Sequence, residues 1–273
     1  MTEESTPTSE SDLMTKEIEL DQTQYRIFEY VTPEHLEDLN NELNYNLESE
    51  NYEDGADSVL GKTTEMTEVL KKNIHSNLQG VDTFWRKIAC PQWNDYVCQL
   101  SNSSPQFTVT REGGYYRAHF DHPQNGHFSN TLFLNDPDEY EGGELELLIN
   151  GELKRFKLPA GQIVTYETGV PHQVRTVTKG VRKVLIWWTH SVIPKKSDLY
   201  AWRTLKQLAY IESKARAEAD GKSSGPFTAY PATSADVTDD LYEFVQKPHC
   251  IYHQACNNIL RNHLYHRTGI TGI

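Results

Sequence analysis

The chain has 273 residues and a formal net charge of −13 at pH 7, and this length suits one large domain or a domain with a smaller appendage. No dense Lys/Arg cluster interrupts the negative charge, so we expect neither nucleic acid nor a membrane as a partner. The four cysteines follow no disulfide framework, and the N-terminus lacks the apolar region of a secretory signal. No run approaches the about 18 apolar residues of a membrane-spanning helix, and we therefore expect a cytoplasmic protein with reduced cysteines.

The N-terminal third predicts a tail followed by supporting secondary structure. Residues 1–20 are rich in Ser, Thr and Glu, which is typical of a disordered acidic tail. Residues 21–105 should hold a strand at 25–31 and then a helix capped by Thr32, with Pro33 in its first turn. Apolar spacing predicts two further helices, one marked by Met66, Val69, Leu70 and Ile74 and the other by Val81, Phe84, Trp85 and Ile88.

A β-rich region follows at residues 106–193. About eight short runs of strand-like composition succeed one another there, separated by turns rich in Gly, Pro, Asn and Asp. Asn150-Gly151 between two such runs is a strong signal for a two-residue hairpin. Short strands at this spacing predict a jelly roll, or double-stranded β-helix. With helices before and after it, the fold class is expected to be α+β with a mainly β core.

The C-terminal region predicts a helix at 194–219, a linker at 220–236 and a helical segment at 237–273. The last segment contains several potential zinc ligands, namely Cys250, His253, Cys256, His263 and His266. Zinc ligands of this kind usually come from a turn and a helix, whereas this segment has the pattern of one amphipathic helix. We therefore favour a packing helix over a zinc site.

The sequence HFD at residues 119–121 places a histidine and an aspartate two positions apart in a strand-like run. Residues i and i+2 of a strand point to the same face, so His119 and Asp121 could bind one metal ion. His172 opens a later predicted strand and would complete two histidines and one carboxylate, the facial triad of non-haem Fe(II) oxygenases. A lone His-x-Asp pair is more often a surface feature, and His122 or His127 could also serve as ligands.

Arg182 makes the metal interpretation more specific. It lies ten residues after His172, on the next β-rich run. Because a planar guanidinium group binds a carboxylate through two parallel hydrogen bonds, Arg182 could anchor the far end of a dicarboxylate that also chelates the metal. By itself this arginine would more often be a surface charge. The combination of His-x-Asp, a distant His and this Arg is much more specific than any of its parts.

Residues 106–191 resemble the prolyl 4-hydroxylase-like family of Fe(II)/2-oxoglutarate-dependent dioxygenases. The matching segments are, in order, GGYYRAHFDHP, SNTLFLNDPDEYEGGELEL and KLPAGQIVTYETGVPHQVRTVTKGVRKVLIWW. The resemblance implies that Fe(II) is bound by three ligands and that one arginine binds the C5 carboxylate of 2-oxoglutarate. It also implies an active-site tyrosine and an aromatic residue near the substrate. By this resemblance the iron ligands are His119, Asp121 and His172, and the arginine is Arg182. The active-site tyrosine is Tyr116, and the aromatic residue near the substrate is Trp188.

The family resemblance also implies an activity. Its members convert 2-oxoglutarate and O2 to succinate and CO2 while they hydroxylate an aliphatic C–H bond. We therefore expect Fe(II) as the metal, 2-oxoglutarate and O2 as cosubstrates, and ascorbate as a further candidate. A prolyl residue of a protein or peptide is the leading substrate, with a small molecule as the alternative. One departure is Phe133, where some relatives have a tyrosine that assists 2-oxoglutarate binding; the hydroxyl of Tyr116 or Tyr166 could replace it.

Two other classes of function stay open at this point. The first is another metal-binding jelly roll, such as a cupin-like enzyme, and the second is a non-catalytic binding module with the same fold. Arg182 favours the oxygenase over the cupin-like enzyme, because a cupin-type site has no need of an arginine at this position. The complete set of ligands argues against the non-catalytic module, which has no chemical reason to hold them together with Arg182.

Overall fold

The computed structural model describes residues 24–29, 31–54, 72–84, 88–89, 98–101, 105–219 and 248–268. They fall into two compact units. The larger unit is formed by residues 24–94 and 98–191, and the smaller unit includes the helices that follow residue 191. Every candidate iron-site residue lies in the larger unit. The predicted tail and the predicted linker at 220–236 lie outside the described residues.

Thirteen strands and four helices occur in the described part of the chain. The strands are β1 Tyr25–Phe28, β2 Glu53–Asp54, β3 Asn73–Asn77, β4 Cys98–Leu100, β5 Gln106–Arg111, β6 Tyr116–His119, β7 Phe128–Phe133, β8 Tyr140–Gly142, β9 Leu145–Ile149, β10 Glu152–Phe156, β11 Ile163–Glu167, β12 His172–Val174 and β13 Val177–Ser191. The helices are α1 Pro33–Glu48, α2 Val81–Phe84, α3 Lys196–Ala219 and α4 Pro248–Thr268.

Two antiparallel sheets form the larger unit. The major sheet has the strand order β1-β11-β7-β13-β5-β3-β2, and β4 and β8 also pair with β13. The minor sheet has the order β10-β9-β12-β6. Strands that are neighbours in space are mostly not neighbours in sequence, because the chain passes repeatedly from one sheet to the other. This is the double-stranded β-helix architecture, and the predicted fold class is confirmed.

The apolar core of the larger unit lies between the two sheets. Alternate side chains of a strand point to opposite faces, and on β9 Leu145, Leu147 and Ile149 are buried while Leu148 is exposed. The buried leucines pack against Phe133 and Val184 of the major sheet. Each such side chain contributes about 1.5–3 kcal/mol when it is fully buried, so these layers fix which face of the minor sheet points inward.

The N-terminal helix begins as predicted. The Thr32 side chain accepts a hydrogen bond from the backbone N–H of His35 at 3.3 Å, and Pro33 occupies the first turn of α1. Strand β1 ends at Phe28, earlier than expected. The helix predicted around Ile74 is wrong at that residue, which lies in β3. Pairing of β3 with β5 along its whole length outweighs the helical spacing of the apolar residues.

The next predicted helix is only partly observed. Val81 and Phe84 lie in the four-residue helix α2, and Ile88 lies in a short π-helical segment. The other marker of this helix, Trp85, lies outside the described residues, as do Met66, Val69 and Leu70.

The predicted β-rich region is confirmed, with different strand boundaries. Asn150 and Gly151 have φ values of 52° and 82°, as a two-residue hairpin turn requires, and they connect β9 to β10. Strand β13 has 15 residues and is longer than any of the predicted runs. The sequence did not predict β2, β4 or β8, because strands of two or three residues are too short to show alternation.

The smaller unit contains α3 and α4. The thiol of Cys256 is buried, lies 3.5 Å from the carbonyl oxygen of Trp202 and has its pKa raised to about 11 by burial. Nε2 of His263 is 3.0 Å from Asp198 Oδ2. Since zinc binds the thiolate, these contacts fit the packing helix better than a zinc site. Among the described residues, no helix is both long and apolar enough to cross a membrane.

Two glycines with positive φ allow a test of this fold. A Cβ atom on Gly142 would lie 2.1 Å from the carbonyl oxygen of Thr176, whereas one on Gly151 would meet nothing within 4 Å. Gly151→Ala therefore costs only the left-handed conformation, about 1–2 kcal/mol. Gly142→Ala must also displace backbone atoms of Thr176. We predict a clearly larger loss in the free energy of unfolding for Gly142→Ala, measured by urea denaturation and tryptophan fluorescence; equal losses would contradict the close crossing of β8 and β13.

Candidate metal centre

His119, Asp121 and His172 form a group of potential metal ligands in the described part of the chain. One ligand atom from each residue lies within 4.8 Å of the other two. Asp121 Oδ1 is 3.8 Å from His119 Nε2 and 3.7 Å from His172 Nε2. These separations are too long for direct hydrogen bonds, and they suit three atoms that share one ion. The structure thus brings the three predicted ligands together.

The register of the minor sheet produces this convergence. Strand β12 lies between β9 and β6, and His172 stands directly opposite His119. The next pair is Val174 with Tyr116, so two steps on β12 match three steps on β6. This bulge lets Tyr116 and His119 face the same side although they are three residues apart. The sequence suggested that Asp121 lies on the same strand as His119. In the structure β6 ends at His119, so Asp121 lies just beyond the strand.

Backbone carbonyl groups fix the orientation of both imidazole rings. Nδ1 of His119 is 2.7 Å from the Arg117 oxygen, and Nδ1 of His172 is 2.9 Å from the Val170 oxygen. A carbonyl oxygen can only accept, so Nδ1 carries the proton and Nε2 presents its lone pair. Burial lowers the pKa of His172, although the negative charge of Asp121 acts in the opposite direction. The neutral ring with Nε2 available is the form that binds a metal.

The second oxygen of Asp121 has its own hydrogen-bond donors. Oδ2 accepts from Ser129 Oγ at 2.5 Å and from Trp188 Nε1 at 3.0 Å. With Oδ2 held in this way, Oδ1 faces the two histidines. Ser129 was not among the predicted site residues, and Trp188 was expected near the substrate. The neighbouring Trp187 is buried, with its ring 5.1 Å from that of Phe84.

Arg182 lies inside the larger unit and is only 2% exposed. It is on the central strand β13, opposite Thr110 of β5. Its Nε has no hydrogen-bond partner in the residues that the structure describes. Burial lowers the pKa of the guanidinium group, and two tyrosine hydroxyl groups act against this shift. A buried cation that faces phenols and no carboxylate is a suitable partner for an anionic ligand.

Three aromatic residues surround this guanidinium group. Its carbon is 5.6 Å from the ring centre of Phe133, and it interacts electrostatically with Tyr140 and Tyr166. Tyr166 also interacts with Asp121, and its ring is 5.2 Å from that of His172. Burial raises the pKa of Tyr166 well above its ordinary value, so the phenol keeps its proton. Tyr166 therefore lies between the ligand group and Arg182; Tyr140 was not predicted.

Tyr116 lies on the other side of the ligand group. Its ring is 6.1 Å from that of His119, and its hydroxyl is 2.6 Å from Nε2 of His75. Burial is the main cause of a lowered pKa for His75. The sequence gave no signal for His75, because the surrounding segment was assigned to a helix and the residue is in fact on β3, two strands from β13.

His122 and His127, the alternative ligands, are not part of the group. His122 is exposed and its Nδ1 accepts a hydrogen bond from the backbone N–H of Gln124 at 3.2 Å. Nδ1 of His127 accepts from the backbone N–H of Ser191 at 3.0 Å. Both rings are thus engaged with nearby backbone and not with the other ligands.

Comparison with known proteins agrees with this geometry. A family model described as the 2OG-Fe(II) oxygenase superfamily matches residues 105–190. A PKHD-type hydroxylase of Prochlorococcus marinus is 40% identical over 96 residues, which are 34% of this chain and 43% of that protein. A PKHD-type hydroxylase of Pseudomonas putida is 33% identical over 139 residues, 47% of this chain and 59% of that protein. The chain spans about half the length of the curated relatives that it matches.

A solved structure shares the fold. It is a prolyl hydroxylase in complex with a hypoxia inducible factor oxygen degradation domain peptide fragment, from Trichoplax adhaerens, and it aligns with a TM-score of 0.51 at 11% identity. The alignment covers 67% of this chain and 94% of the other. The family match includes the strands that carry His119, His172 and Arg182. The region of residues 105–190 is therefore similar to the 2OG-Fe(II) oxygenase superfamily.

Proposed function

We propose that the protein is an Fe(II)- and 2-oxoglutarate-dependent dioxygenase that hydroxylates an aliphatic C–H bond, with a prolyl residue of a protein or peptide as its substrate. The observation that carries this proposal is the pairing of an open-sided group of candidate ligands with a buried arginine that has no carboxylate partner among the described residues. Three protein ligands leave positions on a metal ion for other molecules. Arg182 provides the positive charge that would balance an anionic molecule bound at one of these positions.

The residues present fit both implied groups. His119, Asp121 and His172 would hold Fe(II), and Arg182 would bind the far carboxylate of 2-oxoglutarate. When bound, iron and 2-oxoglutarate supply the oxidising chemistry, in which O2 is consumed, succinate and CO2 are released, and one oxygen atom is transferred to the substrate. The chain provides the orientation of these partners.

The surrounding side chains have separate tasks in this proposal. Ser129 and Trp188 hold Oδ2 of Asp121, so that Oδ1 faces the histidines. Tyr166, which keeps its proton, can donate a hydrogen bond in the space between the ligands and Arg182. Tyr116 keeps its hydroxyl at the side of His119 through the contact with His75. None of these residues transfers the oxygen; each fixes the position of a group that takes part.

The substrate class rests on similarity and not on geometry. The curated relatives are called PKHD-type hydroxylases, which supports hydroxylation as the reaction. The Trichoplax adhaerens protein is a prolyl hydroxylase with a bound peptide, and this chain shares its fold. A test is to offer the Fe(II)-loaded protein 2-oxoglutarate and a library of proline-containing peptides, and to look for a mass gain of one oxygen. If succinate forms in amounts equal to the 2-oxoglutarate consumed but no peptide is modified, a peptidyl proline is not the substrate and small molecules should be tested instead.

The first prediction concerns the metal. Wild-type protein should bind one Fe(II) per chain, and His172→Ala should weaken that binding severely, because two remaining ligands cannot hold the ion in this geometry. The matched control is His122→Ala, a change at an exposed histidine three residues from His119. It should bind iron like the wild type. Anaerobic titration with Fe(II) measures both, and equal iron affinity of His172→Ala and wild type would contradict the ligand assignment.

The second prediction concerns 2-oxoglutarate. Loss of a charged hydrogen bond in a buried site costs about 1.5–3 kcal/mol, so Arg182→Ala should weaken 2-oxoglutarate binding roughly ten- to hundredfold. Arg182→Lys should be affected less, since a charge remains although the planar fork is lost. Lys183→Gln, a change at the next residue on the opposite face of β13, serves as the control.

The measurement is an anaerobic titration with 2-oxoglutarate, followed by the visible charge-transfer band of the Fe(II) complex. Iron content should stay near the wild-type level in all three variants, because neither residue is a proposed ligand. If Arg182→Ala binds iron normally and 2-oxoglutarate as tightly as the wild type, Arg182 is not the anchor and the oxygenase proposal loses its main support.

The third prediction separates two roles of Trp188. If its indole N–H holds Asp121, Trp188→Phe keeps the aromatic ring but removes the donor, and iron affinity should fall about ten- to hundredfold. A residue that only lines the substrate site would leave iron affinity unchanged. Ser129→Ala, which removes the other donor to Oδ2, should weaken iron binding in the same direction. Both affinities come from the titration with Fe(II).

A further inference from the structure

The outer face of the minor sheet carries a row of apolar side chains, one from each strand or strand end, which we call the apolar row. It consists of Leu153, Leu148, Pro171 and Phe120. Three of its members are among the few large apolar side chains exposed in the described part of the chain: Leu153 is 52%, Leu148 45% and Phe120 66% exposed. Scattered exposed apolar residues are ordinary, but a contiguous group marks an interaction surface.

Strand register shows that the row is continuous. Leu153 of β10 is paired with Leu148 of β9. The backbone N–H of Leu148 donates to the carbonyl oxygen of Pro171 at 3.0 Å, at the start of β12. Pro171 precedes His172 and Phe120 follows His119. Because His172 and His119 are paired in antiparallel strands, Pro171 and Phe120 lie on the same side of this pair. Since neighbouring strands are about 4.8 Å apart, the row crosses four chain segments over roughly 14 Å.

The apolar row ends at the metal centre. Phe120 is the residue between His119 and Asp121, whose side chains converge on the inner side of the sheet. Phe120 is 66% exposed, so its ring points into solvent and away from the two candidate ligands. The same short segment therefore presents two candidate ligands on one side and an exposed aromatic ring on the other.

Guanidinium groups lie beside the apolar row on the same face. Arg155 and Arg175 both bind the carboxylate of Glu146, with Arg155 Nε at 2.7 Å and Arg175 Nη1 at 3.3 Å from Oε1. The Glu146 side chain is 2% exposed, whereas those of Arg155 and Arg175 are 57% and 52% exposed. A second carboxylate, that of Glu144, lies 3.8 Å from Arg175 Nε with its side chain 29% exposed. Solvent therefore meets mainly the guanidinium groups of the two arginines. Both arginines line a cleft of about 920 Å³ that also includes Arg117 and Tyr116.

We propose that this outer face is a docking surface for the protein substrate, and that it takes a segment in which apolar side chains stand next to acidic ones. The inference rests on the proposed function and names the substrate class of that site. The apolar row binds the apolar side chains of the segment, and Arg155 and Arg175 bind its carboxylates. A small molecule that fits at the metal would have no use for a surface that extends this far from it.

Charge selects this occupant over a second copy of the chain. A two-fold symmetric contact through this face would bring each apolar row and its arginines against the same elements of the partner. Wherever guanidinium groups met one another across such a contact, the interaction would be repulsive. An acidic segment places a negative charge where the sheet presents positive charge, on a chain whose net charge is −13.

The test uses the full-length protein and a displayed library of random dodecapeptides. Peptides that enrich on the wild type should combine Leu, Ile or Phe with nearby Asp or Glu. Synthetic copies, measured by fluorescence anisotropy, should bind Leu148→Thr/Leu153→Thr at least about tenfold more weakly, since two exposed apolar contacts are lost. Raising the salt from about 0.05 M to 0.5 M should also weaken binding to the wild type.

Ile27→Thr is the matched control, because Ile27 is also an exposed apolar residue on a strand, but one of the major sheet. It should bind the peptides like the wild type. The proposal is overturned if no peptides enrich, if enriched peptides are basic, or if they bind the double variant as tightly as the wild type. It is also overturned if light scattering shows a wild-type dimer that the double variant converts to a monomer, since the row would then be a self-interface.

The same proteins separate this proposal from the function on which it rests. The double variant should give the wild-type charge-transfer band with Fe(II) and 2-oxoglutarate, because neither leucine is near the inner face. A wild type that binds the selected peptides but forms no such band would contradict the oxygenase function and leave the docking surface standing. A normal band with no selective peptide binding would remove the docking surface alone.

Discussion

The larger unit is arranged around a positive charge inside an apolar core. Arg182 is buried on the central strand β13, where burial alone opposes its charged form. Removing an ion from water costs several kcal/mol unless a partner compensates. Phe133 and the hydroxyl groups of Tyr140 and Tyr166 provide only part of that compensation. A buried positive charge of this kind suits an anionic ligand. Its position near the candidate metal ligands supports the proposal of a metal centre with an anionic cosubstrate.

The second constraint is the pairing of β12 with β6. It puts His172 opposite His119, and the bulge after this pair turns Tyr116 to the same face. Carbonyl groups two residues before each histidine then select the Nδ1 proton, and Ser129 with Trp188 selects the free oxygen of Asp121. Backbone geometry and the surrounding donors thus orient the three candidate ligand atoms within the protein itself, which is the kind of preorganisation that metal sites need.

On the proposed function, the minor sheet separates chemistry from recognition. Its inner face contributes ligands and core side chains, and its outer face carries the apolar row and the arginines that cover Glu146. One short segment would serve both purposes, because His119 and Asp121 belong to the candidate ligand group while the ring of Phe120 is exposed. On the proposed function, a bound substrate segment would lie against the same strands that hold the iron, which couples recognition to the reactive site without a separate domain.

The sequence by itself determined the jelly roll, the Asn150-Gly151 hairpin and the candidate set His119, Asp121, His172 and Arg182, because strand alternation, turn chemistry and a dense family-like spacing are all local signals. It misassigned Ile74 and gave no signal for His75, since β3 forms through its pairing with β5 and β2. Only the tertiary structure decided that Trp188 contacts Asp121, that Tyr140 and Tyr166 face Arg182 and that four apolar residues form one row. Each of these depends on strand register, which joins residues from distant parts of the chain and leaves no local pattern in the sequence.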